Sequence, residues 1–96
     1  MSYTLTFTST AFETYYAITA QLQGRWGDKI VADFERKTVK VLELITGCPL
    51  IFQSIESNPN LRKGLIHKNC SVFYEVQEFQ IEILFFWDNR QDPLFR

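Results

Sequence analysis

Residues 71–87, SVFYEVQEFQIEILFFW, decide the fold of this chain. Val72, Tyr74 and Val76 alternate with Phe73 and Glu75, the period of a strand with two distinct faces. After Gln77-Glu78 a second run begins, in which Ile81, Ile83, Phe85 and Trp87 are predicted on one face and Leu84 and Phe86 on the other. A strand apolar on both sides at its centre belongs inside a sheet that is covered on both faces. Upstream, residues 61–67 read as a further strand, set off by Lys68-Asn69. The three strands, over 61–67, 71–76 and 80–87, make an antiparallel meander.

The N-terminal half has a different period. Tyr3, Leu5 and Phe7 alternate with Thr4, Thr6 and Thr8, giving one more strand. Thr10-Ala11-Phe12-Glu13 then matches a capping box, with Thr10 as N-cap. Ala11, Tyr15, Ile18 and Leu22 share one face of the helix that follows, and Gly24 is a natural stop. Asp28 is the candidate cap of a second helix, whose inward stripe is Val31, Phe34, Thr38, Val41, Leu42 and Ile45 and which ends at Gly47 and Pro49. Trp26-Gly27 links the two as a hairpin, with Trp26 read as a packing residue. Residues 50–60 read as a loop with some extended structure. The order is β-α-α-β-β-β, with helices and strands segregated: an α+β fold in one domain spanning 1–96.

Composition removes several functions. Ninety-six residues with a net charge of −1 and no long basic run do not suit a general nucleic-acid binder, and no direct sequence-specific DNA binding is expected, although a local basic patch is compatible with this balance. Cys48 and Cys70 lack zinc-ligand spacing and read as buried or half-buried reduced thiols, so no metal and no cofactor are expected. No apolar run reaches the roughly 20 residues of a membrane helix and no secretory signal opens the chain, which predicts a cytoplasmic protein without a membrane partner. There is no P-loop, GxSxG, HExxH or dinucleotide fingerprint, and His67 is the single histidine.

The polar candidates that remain are Arg62, Lys63, His67, Tyr74, Asp88 and Arg90. Antiparallel pairing can bring several of them to one concave face, where the cations would hold phosphates or carboxylates and His67 and Tyr74 would carry protons or stack. Each has a plainer reading. Arg62 and Lys63 suit an edge strand, Tyr74 a core position with its hydroxyl satisfied, Asp88 with Arg90 a local ion pair, and His67 an ordinary surface position.

The run from Tyr3 to Ser9 before Ala11, the Trp26-Gly27 pair, Gly47-Cys48-Pro49, Leu61-Arg62, His67, residues 71–76 and the ending 83–93 together resemble the RelE/ParE toxins of type II toxin–antitoxin (plasmid stabilisation) systems, over nearly the whole chain. The resemblance implies a helical hairpin on a curved, mainly antiparallel four-stranded sheet. It also implies growth arrest restrained by a cognate antitoxin, with Leu84, Phe86 and Phe95 as antitoxin-binding positions. Two target classes follow from it. One branch cuts mRNA on the ribosome; for that reading the catalytic positions are Arg62, His67 and Arg90, but the late aromatic position is Phe95, which has no hydroxyl. The other branch inhibits DNA gyrase by protein contact and needs no catalytic group. Trp26-Gly27 and His67 followed by Phe73-Tyr74 look more like this second branch, so the expectation is a ParE-like gyrase inhibitor. The alternatives are a ribosome-dependent endoribonuclease or a degenerate, non-toxic module that keeps only its antitoxin affinity.

Overall fold

In a computed structural model that describes residues 3–55 and 57–90, the chain runs β1 (Thr4–Phe7), α1 (Ser9–Trp26), α2 (Asp28–Gly47), β2 (Ser54–Ile55), β3 (Asn58–His67), β4 (Cys70–Val76) and β5 (Gln80–Asp88). The five strands form one sheet in the order β1-β5-β4-β3-β2. The meander is antiparallel throughout, while β1 lies parallel to β5. The α+β plan is therefore as read from the residues, with one two-residue strand added inside the stretch read as a loop.

The helix boundaries differ from the sequence reading, for local reasons. Thr8, not Thr10, caps α1: its Oγ1 accepts the Ala11 N–H at 2.9 Å and donates to the Leu84 carbonyl at 2.6 Å. That second bond ties the start of the helix to β5 and is open only to a residue still beside the sheet. α1 continues through Gly24 to Trp26. The turn is made at Gly27, whose φ of 88° suits a residue without a Cβ. Asp28 does not cap α2; it opens the helix and accepts a 2.6 Å bond from Gln23 Nε2 across the turn.

α2 buries Phe34, Thr38 and Ile45, and the Thr38 hydroxyl is satisfied by the Phe34 carbonyl at 2.8 Å. Phe34 and Ile45, with Ala11 of α1, pack on Ile66, Cys70, Val72, Tyr74, Ile81, Ile83 and Phe86 of the sheet. Tyr15, Ile18, Leu22, Val41 and Leu42 close around this core. The inward stripes read from helical spacing are thus the ones used, from Ala11 to Leu22 on α1 and from Phe34 to Ile45 on α2.

β5 departs from simple alternation. Tyr74 pairs with Ile83 but Phe73 pairs with Phe85, so Leu84 is an extra residue, a β-bulge. The bulge inverts the faces beyond it. Ile81, Ile83 and Phe86 point to the helices, and Phe85 and Trp87 point away, where Phe85 stacks on Phe73 at 4.6 Å between ring centres. The uninterrupted face Ile81–Ile83–Phe85–Trp87 expected from periodicity does not form. Among the described residues no helix is long and apolar enough to cross a membrane.

Candidate functional site

Two ends of the helix-covered sheet face carry the residues singled out above, and they are built differently. At one end lies β3 opposite the middle of β4, where Arg62 is paired with Tyr74. The Arg62 guanidinium is wrapped in backbone: Nε donates to the Pro59 carbonyl at 2.9 Å, and Nη1 to the Leu50 and Phe52 carbonyls at 3.2 and 2.7 Å. The Tyr74 hydroxyl donates to the Pro49 carbonyl at 2.8 Å from a fully buried ring. Burial pushes the phenol pKa up to about 12, which keeps it a donor. Together the two side chains hold the segment that leaves α2. Tyr74 takes its plain reading, a core residue with a satisfied hydroxyl. Lys63, next along β3, points to the opposite face, with Nζ 5.8 Å from the Phe73 ring centre.

At the other end, the tip of the helical hairpin overhangs the β3–β4 turn and the end of β5. The space between is a cleft of about 340 Å³ lined by Ile18, Leu22 and Trp26 of α1, Ile30 and Phe34 of α2, and His67, Asn69, Cys70, Asp88 and Arg90 of the sheet. Its floor is apolar and its rim polar. Trp26 is 63% exposed and Ile30 39%, so Trp26 is presented at the mouth and does not lock the hairpin from within. Large exposed apolar side chains at the lip of a concave site are interface-forming features.

The polar rim is fixed by its own bonds. The Asn69 carbonyl accepts the Asn89 N–H at 2.7 Å, and Asn89 Nδ2 donates to Ser71 Oγ at 2.8 Å, which ties the β3–β4 turn to the end of β5. Asp88 accepts the Arg90 backbone N–H at 2.9 Å and holds its guanidinium through Nε at 3.0 Å and Nη2 at 2.7 Å. Arg90 keeps the Asp88 carboxyl below its ordinary range. His67 Nδ1 accepts the Asn69 N–H at 3.3 Å, an arrangement open only to the neutral ring. Partial burial, followed by the nearby Lys37 and Lys68, lowers the His67 pKa. Burial, with a contribution from Asp88, pushes the Cys70 thiol up to about 12, so Cys70 is no nucleophile for His67.

The six polar candidates therefore do not meet at one site: Lys63 lies on the opposite face, and the rest divide between two ends of the helix-covered face. Tyr74 and Cys70 are four positions apart on β4, so the Arg62–Tyr74 pair and the Asp88 end are separated by about 13 Å along the strand. Only His67, Asp88 and Arg90 share the cleft. Of the three positions attached to an antitoxin, Phe86 is 3% exposed and packs on Tyr15 in the core, and Leu84 is the half-buried bulge residue. Phe95 lies outside the described residues. Cys70 is buried as expected, whereas Cys48 is exposed.

Sequence reading missed Trp26, Ile30 and Asn69 as site residues. A signal was present: Leu22 and Trp26 on α1, and Ile30 and Phe34 on α2, each recur at i and i+4, which extends both apolar stripes beyond what the core uses at the hairpin tip.

A helical hairpin laid on a mixed sheet, with an apolar cleft opening at the hairpin tip, defines the class of the molecule. Three solved structures share the fold, a helical hairpin on a sheet, over almost their whole length. The ParDE toxin–antitoxin system from P. aeruginosa superposes with a TM-score of 0.72 at 17% identity, covering 91% of this chain and 96% of that one. The E. coli DinJ-YafQ toxin–antitoxin complex gives 0.66 at 9% identity, covering 94% and 96%. The YoeB dimer from Staphylococcus aureus gives 0.61 at 17% identity, covering 88% and 94%. No family model and no curated protein matches the chain in sequence. The fold is that of the RelE/ParE toxins.

Proposed function

We propose that this chain is the toxin component of a type II toxin–antitoxin pair, restrained by a cognate antitoxin, and that it arrests growth by gripping a protein target, DNA gyrase, without cutting RNA. The toxin reading is supported by the fold shared with ParDE and DinJ-YafQ over more than nine-tenths of the chain. The observation that favours a binding mode over a nuclease is the state of Arg62. A catalytic arginine must be free to meet a phosphate that becomes more charged in the transition state. The Arg62 guanidinium is held in place by three carbonyls of its own chain through Nε and Nη1. The apolar cleft with Trp26 at its mouth is, in contrast, the kind of surface that anchors a protein partner.

Controlled expression alone and together with a neighbouring short reading frame tests the toxin role. Growth arrest relieved by co-expression is the expected result; harmless expression alone would favour the degenerate module. Purified protein should then inhibit supercoiling of relaxed plasmid by gyrase and leave mRNA intact in a translation extract. Cleavage of mRNA in that extract would replace the gyrase reading by the ribonuclease one. The ribonuclease has one supporting observation, the shared placement of His67 and Arg90 in the cleft. It further requires that Arg90→Ala or His67→Ala abolish the cutting.

A further inference from the structure

The core takes one apolar stripe from each helix and leaves a second one bare. On α1, Phe12 and Tyr16 follow the core-facing Ala11 and Tyr15 by one position, and on α2 Val39 follows the buried Thr38 in the same way. One position is about 100° of helix, so these side chains stand on the flanks beside the core stripes. The flanks meet in a groove of about 200 Å³, where Phe12, Tyr16 and Val39 line the exposed part together with Phe7 of the edge strand β1. Ala11, Tyr15, Leu42 and Phe86 lie deeper. The exposed rings form a run: Phe7 and Phe12 are 5.4 Å apart between centres, and Phe12 stacks on Tyr16 at 6.5 Å. None of the described lining residues is charged, and none is shared with the cleft at the hairpin tip.

We infer that a second copy of this chain docks on this face, the two α1 helices packing across a two-fold axis so that Phe12 and Tyr16 of each copy enter the groove of the other. The area fits such a contact. A free aromatic side chain carries about 200 Å² of surface to bury. At 37%, 49% and 63% exposure, Phe7, Phe12 and Tyr16, with Val39 at 53%, leave about 400 Å² of apolar surface open on each copy. A stable interface takes about 800 Å² from each partner, and in homodimers about 65% of it is apolar. These four side chains therefore supply most of the apolar part of one. The shape fits as well. A two-fold contact uses the same patch twice, so that patch must be knob and hole at once. The rings of Phe12 and Tyr16 are the knobs. The groove beside them exceeds the roughly 150 Å³ of an apolar cavity that admits a benzene ring. A strongly charged peptide or a nucleic acid would find no opposite charge in this lining to offset its desolvation. The inference does not rest on the toxin reading, and its test contains no growth or supercoiling readout.

The test is sedimentation velocity of the full chain from about 1 to 500 micromolar, where a self-association of this kind is read from mass action. The 11.3 kDa species should give way to one of twice that mass. The double variant Tyr16→Glu, Val39→Glu alters only exposed helix positions and sets carboxylates against an apolar partner face, so it should weaken the dimer by about a hundredfold or more. Tyr16→Phe keeps the ring and should keep the dimer. Phe79→Glu removes a still more exposed ring, from the turn between β4 and β5, and should change nothing. Circular dichroism of each variant separates loss of association from loss of fold. A monomer throughout the range would overturn the inference and leave the patch to a different protein. So would a dimer that survives the double variant in a folded protein, an equal loss in Phe79→Glu, or mass that grows past the dimer.

Discussion

Arg62 and Arg90 were the two arginines marked by the sequence, and they stand at opposite ends of one sheet face in opposite circumstances. Arg62 donates to three backbone carbonyls and pins the segment after α2. Arg90 donates to a single carboxylate two residues away, at the rim of a cleft. The difference lies in what surrounds each. The chain leaving α2 must cross to β2 without regular structure, and its carbonyls at Leu50 and Phe52, with that of Pro59 in β3, find the Arg62 guanidinium as their donor. At the β5 end, the side chains of Asn89 and Asp88 and the Asn69 carbonyl already satisfy the turn, which leaves the arginine at the surface. One end of the sheet is anchored and the other is open. A cation in a toxin-like fold is therefore a functional candidate only after its backbone obligations are counted.

The largest test of this contrast is to remove each arginine. Arg62→Ala strips three charge-assisted bonds and takes its donor from the part-buried Phe52 carbonyl. Discounted for partial exposure, the loss is about 2–3 kcal/mol. For a domain of this size that lowers the melting temperature by about 8–20 °C. Arg90→Ala should leave the melting curve where it is. Thermal unfolding followed by circular dichroism compares them directly, and equal shifts would erase the distinction between the two ends. Gly64→Ala probes the anchored end next. A Cβ there would sit 3.0 Å from Phe52 Cδ2 and 3.3 Å from Val72 Cγ1, so the Phe52 ring must give way. Overpacking of this degree costs about 1–2 kcal/mol. A neutral result in urea titration would show that the Phe52 segment is looser than its bonds to Arg62 imply. Tyr74→Phe is milder, about 1 kcal/mol, because the hydroxyl's bonds to the Pro49 carbonyl and the Phe52 backbone are lost while the ring still fills its place. Combined with Arg62→Ala it should be non-additive, since both side chains hold the same segment.

How far these regions could be read in advance follows the same division. The meander and both helices were legible because their apolar residues keep a period of two or of about four, and the buried stripes Ala11–Leu22 and Phe34–Ile45 follow it. Periodicity failed at Leu84, since a bulge is set by how β5 meets β4 and leaves no mark in a single strand. The cap of α1 was misplaced from Thr8 to Thr10 because the deciding partner, the Leu84 carbonyl, is 76 residues away in sequence. In the same way, Arg62 reads as a free cation until the carbonyls that occupy it are known. Trp26 was assigned to packing because a tryptophan beside a glycine turn suits a hairpin lock. Its place at the mouth of the cleft was marked only by the apolar stripe that Leu22 and Trp26 continue past the core.

The smallest effect belongs to the open end and concerns His67. Its ordinary pKa is 6.5, and in the folded chain it is lower, first through burial and then through Lys37 and Lys68. Protonation would also cost the bond from the Asn69 N–H to Nδ1. The other charged groups at the cleft are Arg90 and Asp88, already paired with each other. As pH falls through 6.5, the unfolded chain takes up a proton that the folded chain refuses. The His67 contribution to stability is therefore complete above that pH and is lost progressively below it. The half-exposed ring keeps the effect slight, but His67 is the single histidine, so a proton NMR titration reports it without ambiguity. The midpoint should lie below 6.5 and should rise when Lys37→Gln removes one nearby cation, while Lys63→Gln, on the opposite face of the sheet, should not move it. A midpoint at or above 6.5 would mean that neither burial nor the two lysines hold the ring neutral, and the open end would lose the environment that distinguishes it from the anchored one.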